Sequence, residues 1–457
     1  MTAVVDLKER LDTLHRFRDD VDILEREPEL IPAPARTELM PVMAGAAYRG
    51  LAGELVRAVA PTTEADPVAV LVTFLTCFGN ACGRGPHLRV GDSRHGANLF
   101  NVLVGETSRS RKGTSQDGPL RLMRRADEGW ATERVTGGLS SGEGLIWAVH
   151  DEVQRFNPKT GAWEVSEPGV SDKRLLCVEE ELSQVLKTGQ RQGATVSEII
   201  RRAWDSRTTL QTLTKTSPAK ATDPHISILG HITKAELERE ITDTDMANGL
   251  ANRFGWFRVR RAHLLPNPVS MSDGTVDHLG KRIGDALAFA HDVGVVTRDA
   301  DAAELWNVAY PLLERDRPGL AGAITARSSP ITLRFALIYA LLDCSRLIRP
   351  AHLEAALAIW DYAETSVTSI FGNLTGDAIA DRILSMLQTE GQLTRNDLYN
   401  AFGRNVPSAR IGHALDLLHQ SGRIRVWRIS PDGGKGRPRT LYEAAHAGTE
   451  SDLTSTR

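Results

Sequence analysis

The chain reads as an α/β protein: a layered core with helical additions, followed by a small module near its carboxyl end. Apolar runs of strand length occupy 99–104, 175–179 and 226–230, and each leads into polar or charged residues. Stretches with helical spacing separate them, which is the alternation of a sheet covered by helices. Beyond residue 372, three short helical patterns precede two strand-like runs, a unit with its own periodicity.

Length and composition set the frame. A chain of 457 residues exceeds one ordinary core and divides into several parts. With 41% hydrophobic and 25% charged residues it has the make-up of a globular protein, and a net charge of −3 leaves nucleic-acid affinity to local patches. Residues 1–36 place Leu7, Leu11 and Leu14 at helical spacing among charges and stop at Pro32-Ala33-Pro34, a charged helical arm able to dock a protein partner. That alternation of charge excludes an apolar signal-peptide core at the start. The run 67–82, interrupted by Thr73, Thr76 and Asn80, falls short of the roughly 18 apolar residues a membrane span needs, so it reads as a buried helix capped by Thr63 or Asp66. Cys77, Cys82, Cys177 and Cys344 lie in apolar segments without zinc-like spacing, as expected of buried reduced thiols. The expectation is a cytoplasmic protein that does not enter a membrane.

The first strand leads into Gly105-Glu106-Thr107-Ser108-Arg109-Ser110-Arg111-Lys112-Gly113-Thr114-Ser115 and then a helical pattern. A strand, a phosphate-sized loop and a helix start suit a nucleotide phosphate. Loop N–H groups and the helix terminus offer fixed dipoles, a lysine neutralises charge, and a hydroxyl ligates Mg²⁺. The spelling departs from Gly, four residues, Gly-Lys and Ser or Thr, since Lys112 lies seven residues after Gly105 and Gly113 follows it. A basic surface turn capped by Thr114 is the structural alternative. The second strand ends in Glu179-Glu180-Glu181, where a nucleotide hydrolase needs one acid for the metal's water shell and one to polarise water. These acids could instead serve the first turn of the following helix. The third strand carries His231 and Thr233 at its carboxyl end, where ligands sit in open parallel sheets. Thr233 with Glu236 also spells a capping box, and His231 a packed imidazole.

Elsewhere, Ser140 with Glu143 forms a capping box within the glycine-rich 137–146 segment, and 207–224 suggests a hairpin bearing Lys215 and Lys220 that could face a phosphate backbone. Residues 275–372 turn helical. Arg334 stands in the apolar run 331–342, where an unpaired guanidinium is costly, so an anion or a partner such as Asp343 or Glu354 is expected. Residues 375–444 describe a winged helix: helices at 378–388, 396–402 and 408–421, then a hairpin. Between residues 404 and 439 eight basic residues face two acidic ones, 8 − 2 = +6, which suits DNA phosphates through Arg410, Arg425, Arg428, Lys435 and Arg437. Protein docking is the other use of such a module. Residues 445–457 read as a disordered tail.

As a set, the segments Ala47-Tyr48-Arg49-Gly50-Leu51-Ala52-Gly53-Glu54, Val104 through Ser115, Gly138-Leu139-Ser140-Ser141-Gly142-Glu143-Gly144-Leu145, Glu179-Glu180-Glu181 and Asn252-Arg253-Phe254 resemble a P-loop ATPase family of phages, plasmids and integrated elements. Its members often form the helicase-like part of primase–helicase proteins. The resemblance covers about residues 40–372 and implies a P-loop NTPase (RecA/AAA+-like) layered core over 40–270, a helical subdomain over 275–372 and a C-terminal winged-helix domain. It implies ATP and Mg²⁺ as ligands, with Lys112 on the β and γ phosphates, Thr114 or Ser115 on the metal, Glu179 ordering its water shell and Glu180 as general base. Arg253 looks like an arginine finger acting on a neighbour in a homo-oligomer, and Arg334 like a second sensing arginine. Gly105, Gly113 and His231 complete the expected nucleotide contacts. The short stretch before residue 40 leaves no room there for a primase domain. A DNA-associated motor or loader is thus expected. The alternatives are a nucleotide-dependent switch or DNA-binding regulator with little hydrolysis, and an ATPase subunit of a defence or mobile-element assembly.

Overall fold

A computed structural model describes residues 40–106, 110–191, 193–212, 219–241, 248–317, 319–371, 375, 377–420, 422–429 and 439–445. The expected arm, Lys215, Lys435, Arg437 and the tail from residue 446 lie outside the described residues. The centre is a five-stranded parallel sheet of β1 (Phe100–Gly105), β2 (Val135–Thr136), β3 (Arg174–Glu179), β4 (His225–Thr233) and β5 (Gly255–Val259), in the order β5-β1-β4-β3-β2. All three strands expected from the sequence are present. β1 and β4 are buried nearly throughout, which is why they read as continuous apolar runs rather than alternating ones. Between strands β4 and β5 the chain crosses over β1, and between β1 and β2 it passes to the far edge, so the order reverses at β1. In open sheets that reversal places a crevice outside the strands' carboxyl ends.

The long apolar helix α1 (Pro67–Ala81) lies against this sheet, with every residue after Pro67 buried. Asp66 caps it by accepting the Val68 N–H at 3.0 Å. The polar residues that interrupt its apolar run are its tethers. The Asn80 Nδ2 donates to the carbonyls of Leu175 on β3 (2.9 Å) and His225 on β4 (3.2 Å), and its Oδ1 accepts the Trp130 indole N–H at 2.8 Å. Asn101 on β1 donates to Thr76 at 2.8 Å. Such buried hydrogen bonds fix register where an apolar contact would allow sliding.

Helix α2 (Asp117–Ala126) follows the loop after β1. Further along come α3 (Gly142–Trp147), α4 (Leu182–Gly189), α5 (Val196–Trp204) and α6 (Lys234–Glu240). The cap of α3 is Ser141, which accepts the Gly144 N–H at 2.9 Å, and not Ser140; the expected Glu143 instead accepts from Thr195 at 3.0 Å. The segment 207–224 does form a hairpin, Thr209–Gln211 against Lys220–Thr222. A second hairpin, Val153–Asn157 against Ala162–Glu167, had no clear sequence signal.

The helical additions are α7 (Asp273–His291), α8 (Ala300–Leu313), α9 (Ser328–Leu342) and α10 (Pro350–Phe371). One continuous apolar cluster runs from Ala47 to Phe371, so the additions share the core of the sheet rather than building one of their own. Tyr362 of α10 donates to the Arg258 carbonyl of β5 at 2.6 Å and stacks on Phe257, which seals that edge.

The C-terminal module has a separate apolar cluster centred on Ile383, Leu387, Leu398, Ile411 and Leu418. It comprises α11 (Ala378–Glu390), α12 (Arg395–Ala401) and α13 (Ser408–Gln420) with β6 (Leu393–Thr394), β7 (Ile424–Ile429) and β8 (Arg439–Ala444), antiparallel in the order β6-β8-β7. Thr394 caps α12 through a box with Asp397. Among the described residues no helix is long and apolar enough to cross a membrane. Cys77, Cys82 and Cys177 are buried, whereas Cys344 is exposed at the end of α9 in a left-handed conformation (φ 49°).

Candidate functional site

The carboxyl edge of β1, β4 and β3 brings several of the expected residues together. The residue after β1, Glu106, accepts from the Arg258 guanidinium of β5 at 2.6 and 3.0 Å, so an edge-strand cation anchors the loop's start. Residues 107–109 lie outside the described set. At Arg111 the backbone is left-handed (φ 56°), the conformation a glycine would adopt freely, and it stands immediately before the lysine. The missing glycine of the usual spelling is thus an arginine in a glycine's conformation. Its Nε is held by Glu64 at 2.7 Å, and Glu64 is itself fixed by the Leu265 N–H at 2.8 Å.

Lys112 folds back over the end of β1. A Cβ built on Gly105 would stand 2.8 Å from the Lys112 Nζ and 2.6 Å from both the Cβ and the Oγ of Ser110, so only glycine leaves this space. Lys112 is 8% exposed. Burial lowers its ammonium pKa, and the charge of Glu236 opposes that shift. Gly113–Ser115 form a 3-10 turn leading to α2. Thr114 is exposed and donates to the Arg111 carbonyl at 3.0 Å, while Ser115 is fully buried and donates to the Lys112 carbonyl at 2.6 Å.

His231, on β4 beside this lysine, is buried and its Nε2 has no hydrogen-bond partner. Burial, then the Lys112 charge, pushes its pKa down to about 4, so the ring is neutral near pH 7. At the strand's end Thr233 makes the expected capping box, accepting the Glu236 N–H at 3.2 Å. Those bonds hold the Glu236 carboxyl below its ordinary range.

The acidic triplet divides by environment. Glu179 is buried and accepts the Leu139 N–H at 2.8 Å; burial raises its pKa while backbone bonds from Leu139 and Gly138 oppose the rise. Glu180 is exposed and accepts from the Gln116 amide at 3.1 Å, beside the start of α2. There Asp117 has its pKa raised by burial and by the Glu180 charge. Glu181 stands at the N-cap of α4 without capping it. Glu180 is therefore the member that faces the loop. A cleft of about 420 Å³ opens beside the same turn, with Glu64, Arg111, Thr114 and Asp117 in its lining next to Val59, Leu265, Pro266 and Pro268.

Two expected residues lie elsewhere. Arg334 is fully buried, and its guanidinium donates to the Asn98 carbonyl (2.6 Å), the Asn98 amide oxygen (2.8 Å) and the Trp204 carbonyl (2.6 Å) while stacking 4.0 Å from the Trp204 ring centre. Among the described residues neither Asp343 nor Glu354 bonds to it; the carboxylate whose charge acts on it is Asp205. Asn98 precedes β1, so Arg334 sits at the amino end of the sheet and takes no part in a site at Gly105. The Arg253 guanidinium is also turned inward, donating to the Gly249 carbonyl at 2.6 Å and pairing with Asp205 at 3.1 Å. Arg253 precedes β5, whose Gly255 pairs with Asn101, so it too belongs to the amino end. A finger for a neighbouring subunit needs a projecting guanidinium, and this one is spent on the chain's own interior.

In the C-terminal module, Arg425 is exposed on β7, and Arg410 of α13 pairs with Asp377 at 3.5 Å. Arg428 lies on β7, with its side chain outside the described residues. Trp427, 47% exposed, donates to Glu443 at 3.0 Å.

Sequence reading missed Arg258, Glu64 and Gln116. An arginine inside the apolar run 254–259 was a usable signal for the first; the others depend on contacts across 47 and 64 residues. No protein-family model matches the chain, and a search of curated proteins finds no match.

Proposed function

We propose that this chain is a P-loop ATPase that hydrolyses Mg²⁺–ATP and acts on DNA as a helicase-like motor or loader, with the C-terminal module as a winged helix. The observation that carries the reading is Lys112 turned back over Gly105 at the order-reversal point of a parallel sheet, with Glu180 on the same edge. The fit to a phosphate rests on two further features: the space at Gly105 that a Cβ would fill, and the unpartnered, buried Nε2 of His231.

In this reading Lys112 and the N–H groups leading into α2 bind the β and γ phosphates. Thr114 would hold Mg²⁺ directly and Glu179 would order its water shell. One hydroxyl and one carboxylate suffice because phosphates and water complete that ion's shell, and among the described residues no cluster of metal-ligating side chains occurs. When bound, the metal supplies neutralisation of charge on the phosphate oxygens. Ser115, buried against the Lys112 carbonyl, supports the loop, and Glu179 holds the turn at 138–139. Glu180 accepts the proton of the attacking water. Neutral His231 orients the γ-phosphate or that water without repelling the lysine. The position of Arg253 lends no support to a shared site, so oligomer formation is not part of the proposal.

Lys112→Ala is expected to abolish ATP turnover while leaving the melting temperature within a few degrees. Unchanged turnover removes the assignment, and tight binding by the unaltered protein with negligible turnover converts the motor into a switch. DNA contact is tested by reversing Arg425 to Glu, which should weaken binding and flatten its salt dependence. Indifference of DNA affinity assigns the module to protein contacts.

A further inference from the structure

A second cleft, of about 500 Å³, lies between the hairpin His87–Val90/Ser93–Gly96, helix α8 and the start of α9. Its size falls within the roughly 300–1,000 Å³ of small-ligand sites. Its hairpin wall precedes β1, whose far end carries Lys112. Arg89 and Arg298 line it with Trp306 and Tyr310, and Glu314 is the carboxylate in its lining.

The chemistry of this lining is unbalanced in one direction. The Arg298 guanidinium stacks 5.3 Å from the Trp306 ring centre, and burial lowers its pKa with no carboxylate offsetting the shift. Among the described residues neither Arg89 nor Arg298 has an ion-pair partner. Behind the cleft, Arg327 and Arg334 add positive potential at His95, whose pKa is pushed down to about 4, chiefly by burial. The buried Nδ1 of His95 and the buried Oγ of Ser329, both in the lining, have no hydrogen-bond partner. Ser329 is 5% exposed, so its hydroxyl lies in the wall of the cleft and not on the outer surface. Tyr310 is 47% exposed and stands 5.7 Å from Trp306, offering a flat apolar face at the mouth. Unpaired guanidinium groups, an aromatic face and orphaned polar groups together suit a phosphate joined to a planar base.

We infer that this cleft binds a nucleotide unit, its phosphate on Arg89 and Arg298 and its base against Tyr310. The site is independent of the ATPase reading, because it shares no residue with the Lys112 loop. The same chemistry is offered by a free mononucleotide and by a strand of nucleic acid.

The test uses the full chain without ATP, in both the natural and the Lys112→Ala background, so that loss of the loop site and loss of the cleft are told apart. Binding of a labelled oligothymidylate is followed by anisotropy, free dTMP is added as competitor, and ultraviolet cross-links are mapped by mass spectrometry. Tyr310→Ala and Arg298→Gln should each weaken binding by about fivefold or more, and cross-links should fall on α8. Competition by dTMP at comparable concentration identifies a free nucleotide as the ligand; binding of the oligonucleotide alone identifies a strand. If Arg298→Gln fails to fold, Arg89→Gln on the exposed hairpin and Tyr310→Ala carry the test. Binding of both probes that is indifferent to these folded variants, or absent altogether, overturns the inference.

Discussion

Gly105→Ala isolates the geometry on which the nucleotide reading depends. The new methyl carbon would lie 2.8 Å from the Lys112 Nζ and 2.6 Å from the Ser110 Cβ and Oγ. Ordinary carbon contacts begin near 3.5 Å, so the lysine end must retreat by about 0.7 Å and Ser110 by about 0.9 Å. The ammonium can swing at little cost, but the Ser110 Cβ is fixed to the backbone, so the loop moves as a whole. Displacements near 1 Å in a catalytic arrangement cost up to about 10²-fold, or roughly 2.7 kcal/mol of transition-state stabilisation. The expected result is a loss of ten- to about a hundredfold in kcat/KM for ATP, with a melting temperature lowered by a few degrees at most, because the clash is confined to a loop. Steady-state turnover with thermal melting on the same preparation checks it. Turnover within about twofold of the unaltered protein would show that phosphates do not use the space above Gly105, and the placement of Lys112 would lose its meaning.

Glu180→Gln should lower turnover by about 10²–10⁴-fold while nucleotide affinity is retained, the pattern of a removed general base; equal loss from Glu179→Gln, with Glu180→Gln silent, would exchange their roles. The histidines give a pH prediction. Burial comes first among the causes that push His95, His225 and His231 down to about 4. A group with a depressed folded pKa takes up its proton more readily in the unfolded chain, so its penalty is absent above about pH 6.5, grows as pH falls and is complete near pH 4. Urea midpoints should therefore drop between about pH 7 and about pH 5, and less steeply in His225→Gln, which removes one such ring. An unaltered slope in that variant would count against burial as the cause.

What was legible in the sequence follows the range of the interactions. Strands β1, β3 and β4 announced themselves because strands covered on both faces are apolar without interruption. β2 has two residues and no period to read, and Arg258 breaks the apolar pattern of β5. The boxes at Thr233 and Thr394 were legible because both partners lie within one turn. The cap at 140–141 was off by one residue, since either serine satisfies the local pattern and only packing chooses. Lys112 and Glu180 could be named from local spelling, yet the arginine held left-handed at 111 depends on Glu64, 47 residues earlier. Arg334 marks the limit most sharply. The sequence showed that a buried guanidinium needs compensation, but not that carbonyl groups and an indole face would contact it directly, with the Asp205 charge nearby.

Those contacts bear on where chemistry can occur. At the amino end of the sheet, Arg253, Arg327 and Arg334 lie 5.7, 5.1 and 4.0 Å from the Trp204 ring centre, and Arg334 joins the end of α5 to the residue that leads into β1. Hydrogen bonds from a charged donor contribute about 1.5–3 kcal/mol each, so releasing this guanidinium to follow a ligand would forfeit several at once. Cations so placed are structural by the strength of their existing bonds. Both ends hold buried polar atoms without partners: the Nε of Arg253 and of Arg334 at the amino end, and at the carboxyl edge the Nε2 of His231 and the Oε1 of Gln116, beside Lys112. A fold tolerates such groups where an incoming ligand satisfies them. The guanidinium groups at the amino end already make several strong bonds each, whereas the Nε2 of His231 makes none, and the proposal sets its reaction above Gly105 on that difference.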